Sequence, residues 1–458
     1  MEEKKQENIM GTQPIGKLLP SMALPIMLSM LVQALYNIVD SVFVARISEN
    51  ALTSVSLVFP VQNLIIAVSV GTAVGINALL SRRLGEKNYE AAEKVANNGV
   101  AITVLSWAVF ALFGLFFSGA FMGIFTDNAE IAAGGTTYMR IVTVFSLGTF
   151  MEITMERVLQ VTGNTLYQMA SQMTGAVVNI ILDPILIFGL LGLPKMGITG
   201  AAVATVLGQF VAMGLALTLN HWKNNEVRLS LKGMLALDGR TVKGIYQVGL
   251  PSIIMQSIGS VMTFGMNKIL ISFTETAVSV FGIYFKLQNF VFMPVFGINN
   301  ALVPIVGFNY GARKKERILS TVKLAAAMVT GVMAVGLLLF QAAPAWLLGL
   351  FNASEAMLAI GVPALRLISL CFLFAGVAIV FSGMFQALGE GMLSMWISII
   401  RQLVVLLPAA FVLAKMGGLN AVWYAFLLAE SISFCLSLFC FRRTYKKKLQ
   451  KLEEVQFD

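Results

Sequence analysis

The sequence predicts an all-α polytopic membrane protein of twelve transmembrane helices, arranged as two parallel six-helix repeats. Three observations predict it: apolar runs of bilayer length, a self-match at one fixed offset, and Lys and Arg gathered on alternate loops. Of 458 residues, 57% are hydrophobic and only 12% charged, too few charges to keep so large a surface in water. Runs of about 18 or more apolar residues recur along the chain, the length a bilayer demands of a helix. Backbone in hydrocarbon must satisfy its own hydrogen bonds, and the alternation of a membrane barrel is absent, so these runs are helices.

The first six helices are predicted at 15–44, 51–80, 95–118, 133–160, 168–190 and 199–220. The second six are predicted at 244–272, 278–306, 318–340, 358–386, 393–414 and 420–441. The first seventeen residues are polar and no small-residue cleavage site follows, so helix 1 serves as its own uncleaved insertion signal. Most of the 32 Lys and Arg lie in the N-terminal segment, the 81–94, 221–243 and 307–317 loops and the C-terminal tail. The opposite loops hold only Arg46, Lys195 and Lys415. The positive-inside rule then places both termini in the cytoplasm of a multi-pass protein of the cell membrane. The same bias, with lipid headgroups as its partners, accounts for the net charge of +9 without nucleic acid.

The repeat has an offset of 226 residues. Leu24-Pro25 matches Leu250-Pro251, Glu49 matches Glu275, and Phe59, Gln62 and Asn63 match Phe285, Gln288 and Asn289. Gly71, Gly85, Arg140, Gln160 and Gly163 match Gly297, Gly311, Arg366, Gln386 and Gly389, with a short gap needed only near helix 6. Six is an even number, so both halves enter the membrane in the same sense, as in transporters whose two bundles rock about a central site. The domains are accordingly 1–220, an N-terminal lobe with an acidic cation site; 221–243, a cytoplasmic linker; 244–441, a C-terminal lobe; and 442–458, a basic cytoplasmic tail.

Catalytic chemistry has little to stand on. Cys371, Cys435 and Cys440 fall in apolar helices without metal or disulfide spacing, and His221 is the only histidine. The chain is expected to be no enzyme and to hold no metal or cofactor. Charges inside a membrane are costly and point to function. Helix 1 carries Ser29, Gln33, Asn37 and Asp40 on one face, and helix 4 carries Thr149, Glu152, Glu156 and Gln160. Helix 5 sets Asn179 and Asp183 one turn apart, with Pro184 freeing the Ile180 carbonyl. Helix 6 offers Thr205 and Gln209. The repeat partners of Asp40, Glu152, Glu156 and Asp183 are Met266, Ala378, Ser382 and Ala409, so the acidity belongs to one half. Helix 7 has a milder polar face of Gln256, Ser260, Thr263 and Asn267, and Lys268, Lys286, Arg401 and Glu430 also lie at membrane depth. Lys268 and Lys286 are read as snorkelling or paired.

The segment Asn179-Ile180-Ile181-Leu182-Asp183-Pro184, the run Gly197-x-x-Gly200-Ala201-Ala202-x-Ala204-Thr205 and Gln160-x-x-Gly163 resemble the multidrug and toxic compound extrusion (MATE) family, in its bacterial MepA-like branch. The resemblance spans essentially the whole chain and is most specific in helix 5. It implies two six-helix lobes and cation-coupled efflux of amphipathic organic cations. It also implies a proton or sodium site at Asp40, Asn179, Asp183 and Thr205, with Glu156 added in the MepA-like branch. Some members carry acidic residues in helices 7 and 10; neither helix has one here, so protons are expected ahead of sodium. Gln33, Asn37, Glu152, Gln256, Ser260 and Thr263 are the candidates for the substrate cavity. The expected partners are small lipophilic cations and membrane lipids, and the chain is expected to act as a monomer. Two alternatives stand beside this reading. A flippase for a lipid-linked precursor should line its cavity with Arg and Lys, and a membrane-embedded lipid-modifying enzyme would need a catalytic cluster that is absent.

Overall fold

The computed structural model describes residues 8–452. The outermost parts of the polar N-terminal segment and of the basic tail, 1–7 and 453–458, lie outside the described residues. The first six spans are Ile15–Ala45, Glu49–Gly85, Tyr89–Phe125, the broken pair Ala129–Val144 and Leu147–Val161, then Thr165–Phe188 and Ile198–Lys223. The seventh to ninth are Gly239–Ile271, Glu275–Gly311 and Lys315–Ala342. The tenth is Glu355–Ser369 with Phe372–Ala387, bent by 49°. The eleventh, Gly391–Val422, contains a π-helical stretch Ile400–Leu406 and is interrupted at Gly418, and the twelfth begins with Tyr424–Thr444.

Ten of these helices are long and apolar enough to cross a membrane, and the bent tenth span makes eleven. The fourth span completes the twelve by repeat equivalence. Its break at Phe145 and Ser146 lies within one residue of the repeat position of the break at Leu370 and Cys371. It is less apolar than its fellows because it carries Arg140, Glu152, Glu156 and Arg157.

The repeat extends to local chemistry. Ser48 caps the second span by accepting from the Ala51 N–H at 3.0 Å, and its repeat partner Thr274 caps the eighth by accepting from Ala277 at 3.1 Å. Each satisfies one of the N–H groups that a helix start leaves without a partner. Asp238 does the same for the seventh span, accepting from the Thr241 hydroxyl at 2.6 Å and N–H at 3.0 Å. Those bonds hold its carboxyl below the ordinary carboxylate range.

Packing divides the chain into two units. The first is Leu28–Ile253 with Asn8 and Ile9, and the second is Met10–Met27 with 254–452. Spans one and seven are therefore each shared, and the boundaries at Leu28 and Ile254 are repeat equivalents, three residues past Pro25 and Pro251. Proline inside a helix removes a hydrogen bond and allows a local bend. Close approach holds each half-span in its unit. A Cβ on Gly71 would lie 2.6 Å from the Ile253 backbone nitrogen in the first unit, and one on Gly297 would lie 2.5 Å from Met27 Cγ in the second. Gly71 and Gly297 are repeat partners, and so are Ile253 and Met27. Only a residue without a side chain admits a helix this near.

Candidate cation site in the first unit

Three spans of the first unit bring the acidic residues together. Asp40 stands five residues before the end of span one, and Asp183 five before the end of span five. Spans five and six meet at paired glycines. A Cβ on Gly175 would fall 3.0 Å from the Gly208 oxygen, and one on Gly208 would fall 2.8 Å from the Gly175 oxygen. That approach seats Asn179 against Thr205, with Asn179 Nδ2 3.4 Å from Thr205 Oγ1 in one orientation of the amide. Turned over, the amide donates to Asp183 Oδ2 at 3.2 Å and accepts from the Thr205 N–H at 3.2 Å, which satisfies both of its ends.

Asp40 and Asp183 are within hydrogen-bonding reach of each other. Ionised carboxylates only accept hydrogen bonds, so such a contact needs a shared proton or a bridging cation. Asp183 is fully buried, and Oδ1 of Asp183 and Oδ1 of Asp40 are both buried without a partner among the described residues. Buried polar atoms in folded proteins are nearly always satisfied. A proton held between the two carboxyls would give one of these oxygens a donor.

A second acidic group continues along span four. Glu152 and Glu156 lie one turn apart, and Glu156 Oε1 is also buried without a partner. Arg157 is buried beside it, yet its guanidinium donates to Gln160 Oε1 at 2.8 Å, the oxygen that also accepts from Asn77 Nδ2 at 3.0 Å. The arginine is thus tied to an amide network, and no ion pair with Glu156 forms among the described residues.

Two tyrosines join the site that sequence reading passed over. Tyr36 lies within electrostatic range of Asp40, Glu152 and Asp183. Tyr138 faces the Asp40 end and accepts from Gln62 Nε2 at 3.3 Å. The spacing of Tyr36 four residues before Asp40 is a signal that could have found the first. Nothing in the sequence marks Tyr138, which reaches the site through the packing of span four on span two.

The candidates for the substrate cavity divide between the units, and of those in the first unit Glu152 belongs to the acidic group. Gln33 is exposed and accepts from Gln172 Nε2 at 3.0 Å, and Asn37 is exposed on the same helix. Gln256, Ser260 and Thr263 belong to the second unit; the first two are exposed, and Thr263 donates to the Gly259 carbonyl at 2.9 Å. Among its described residues the second unit holds no counterpart of the acidic site. Met266 is fully buried at the position of Asp40. Its membrane-depth charges have protein partners: Arg401 Nη1 donates to Glu430 Oε1 at 3.0 Å, while Lys268 lies 5.7 Å from the Phe264 ring centre and Lys286 5.8 Å from that of Phe351. These last two distances are in the range of cation–π attraction.

Twelve spans in a parallel repeat, with a group of carboxyls that has no basic ion-pair partner gathered in one half, define a polytopic membrane transporter. The MatE family model matches the chain twice, over residues 25–185 and 251–412, and the two matches start one repeat offset apart. The chain belongs to that family, the MATE multidrug efflux transporters. Among its relatives, the multidrug export protein MepA of Staphylococcus haemolyticus (strain JCSC1435) is 25% identical over 427 residues, covering 93% of each chain. MepA of Staphylococcus aureus (strain bovine RF122 / ET3-1) is 25% identical over 421 residues, 92% of each. Solved structures share the fold. A MATE structure in complex with MaL6 has a TM-score of 0.90 at 24% identity, covering 97% of this chain and 99% of that one. An outward-facing multidrug resistance MATE transporter also has 0.90 at 24% identity, covering 98% and 100%.

Proposed function

We propose that this chain is a secondary active antiporter that exports amphipathic organic cations in exchange for protons taken up at Asp40 and Asp183. The observation that carries the reading is the contact between these two carboxyls, each with a buried oxygen that lacks a protein partner. The MepA relatives, named for multidrug export, support the substrate class. A ligand drives a conformational change only through a difference in its affinity for the two states. A proton that joins the pair removes negative charge and weakens the hold on an organic cation; loss of the proton restores it. Charge is worth most in a low-dielectric interior, which makes the exchange steep. Tyr36 is within electrostatic range of both Asp40 and Glu152, and in this reading Glu152 and Glu156 extend the acidic group along the lobe.

The lobes alternate between inward- and outward-facing states in this reading, in the cell membrane, with both termini and the 221–243 linker cytoplasmic. Transport in proteoliposomes under separately imposed proton and sodium gradients tests the coupling. Efflux driven by a proton gradient alone is expected; efflux that responds only to sodium would overturn proton coupling. The topology is tested by labelling a cysteine placed at Ser230, which is expected to react only from the cytoplasmic side.

A further inference from the structure

The linker between spans six and seven carries a feature that the transport reading does not use. Its short helix Leu231–Leu235 buries none of its residues. Leu231 is 81% exposed and Leu235 87%, and these two lie one turn apart on a single face. Leu237 beyond them is half exposed, and Trp222 at the end of span six is 71% exposed. Leaving a leucine side chain in water forgoes about 1.5–3 kcal/mol of burial. Disorder is no explanation for this face, because the backbone beneath it is clamped at both ends.

The clamps are neighbouring asparagines of span three. Asn97 accepts from the Ser230 N–H at 2.8 Å and donates to the Arg228 carbonyl at 3.2 Å. Asn98 accepts from the Asp238 N–H at 2.7 Å and donates to the Ala236 carbonyl at 3.4 Å. Both asparagines are buried, so the helix is fixed to the first unit at a defined height.

That height is the edge of the hydrocarbon. Span three begins with Tyr89 and carries Glu90, Glu93 and Lys94, after which no charged residue occurs up to its end at Phe125. Asn97 and Asn98 sit where that charge-free run starts. The linker also leaves span six at Lys223 and enters span seven at Gly239, so both its ends are at the membrane surface.

Charge selects the leaflet. Arg228, Lys232, Arg240 and Lys243 are exposed and make no ion pair among the described residues. The two carboxylates of the linker are engaged elsewhere: Glu226 accepts from Asn8 at 2.8 Å, and Asp238 is held by Thr241 with Lys94 3.8 Å away. The linker therefore offers uncompensated positive charge beside an apolar face. That is the pattern of a segment lying in the interface of an anionic membrane.

We propose that the linker helix is an anionic-lipid anchor, with Leu231, Leu235 and Leu237 set into the boundary between headgroups and acyl chains and Arg228, Lys232 and Arg240 on lipid phosphates. The inference is independent of the coupling ion and of the transported substrate.

The test uses the full chain with its three cysteines replaced by alanine and an NBD fluorophore on Leu235→Cys. Leu231→Cys is the second probe site, and Asn225→Cys, in the exposed turn before the helix, is the control. Each is reconstituted at high lipid excess in phosphatidylcholine vesicles with and without phosphatidylglycerol. Quenching by nitroxide on the lipid acyl chains is compared with quenching by aqueous acrylamide. Expected are lipid quenching at 235 and 231 at least threefold stronger than at 225, an increase with phosphatidylglycerol, and loss of that increase in the triple variant Arg228→Gln, Lys232→Gln, Arg240→Gln. Probes at 235 and 231 reached by acrylamide and not by lipid nitroxide would overturn the anchor. Protection from both quenchers would overturn it too, because it would mean that a second copy covers the helix. Lipid quenching indifferent to phosphatidylglycerol would overturn the anionic specificity.

Discussion

The two halves share a chain fold and differ in what they do with charge. In the first unit, spans five and six pack at Gly175 and Gly208, and the charges they position, Asp183 and its neighbour Asp40, are left without a basic partner. In the second, the repeat partner of Gly175 is Arg401, on the π-helical stretch of span eleven, and it is paired with Glu430 of span twelve at 3.0 Å. Val405 and Ala409 stand where the first half has Asn179 and Asp183. A buried charge with a fixed partner is spent on structure. One whose partner is missing can take up and release a mobile proton or cation. In the reading proposed above, the first half carries the mobile role and the second the structural one.

The comparison breaks most visibly at the carboxyls. Asp183→Asn and Asp40→Asn should reduce gradient-driven efflux to background while expression and membrane insertion stay near the parent level. The same measurement on Met266→Ser and Ala409→Ser, which place a polar group at the equivalent sites, should find nearly full efflux. Equal losses in all four variants, with reduced expression, would show that the aspartates serve packing.

The ion pair should give the opposite signature. Arg401→Met leaves Glu430 buried without its partner, a change that typically costs about 3–5 kcal/mol. The thermal midpoint in detergent should fall sharply, with efflux per folded molecule retained. The double variant Arg401→Met, Glu430→Gln removes both charges and should recover most of the loss. If the double variant were stable and yet inactive, Glu430 would have a part in transport.

The shared half-spans offer a finer test. Gly71→Ala and Gly297→Ala sit at equivalent contacts, but the new methyl meets the Ile253 backbone in one case and chiefly the flexible side chain of Met27 in the other. Overpacking costs about 1–3 kcal/mol. Gly71→Ala should lie at the upper end and Gly297→Ala at the lower, read as shifts in thermal midpoint. Equal shifts would mean that backbone rigidity does not decide the cost.

The fold was legible because bilayer solvation writes itself into composition and because duplication left Leu-Pro, Gly and Arg matches at one offset. The exchange of half-spans was not legible. Pro25 and Pro251 showed up only as matching residues, and which unit a helix packs against is settled by distant contacts such as Gly71 on Ile253. At the site, Asp40, Asn179, Asp183 and Thr205 could be picked out because a carboxylate in an apolar run is conspicuous. Tyr36 and Tyr138 were hidden, since an aromatic residue in a membrane helix is ordinary and only its neighbours make it otherwise. The pairing of Arg401 with Glu430 was hidden for a similar reason: each residue stood out, but the turn that joins their helices decides whether they meet.

The smallest effect is expected at Thr205, and it bears on how the first half holds its carboxyl. With the Asn179 amide turned to satisfy both of its ends, it donates to Asp183 and accepts from the Thr205 backbone N–H at 3.2 Å, so the hydroxyl, 3.4 Å from that end of the amide, adds only a long contact. In the other orientation Asn179 donates to that hydroxyl across 3.4 Å, a long bond, and is drawn away from Asp183. The first arrangement predicts that Thr205→Val, which keeps the backbone and nearly the same volume, changes the pH midpoint and rate of efflux by less than about threefold, below the worth of one ordinary hydrogen bond. Asn179→Leu removes the donor to Asp183 and should shift both by more than that. The measurement is efflux in proteoliposomes across a pH series for the two variants and the parent. If Thr205→Val falls as far as Asn179→Leu, the hydroxyl is the anchor, and Asp183 is positioned by the asparagine only through the threonine side chain.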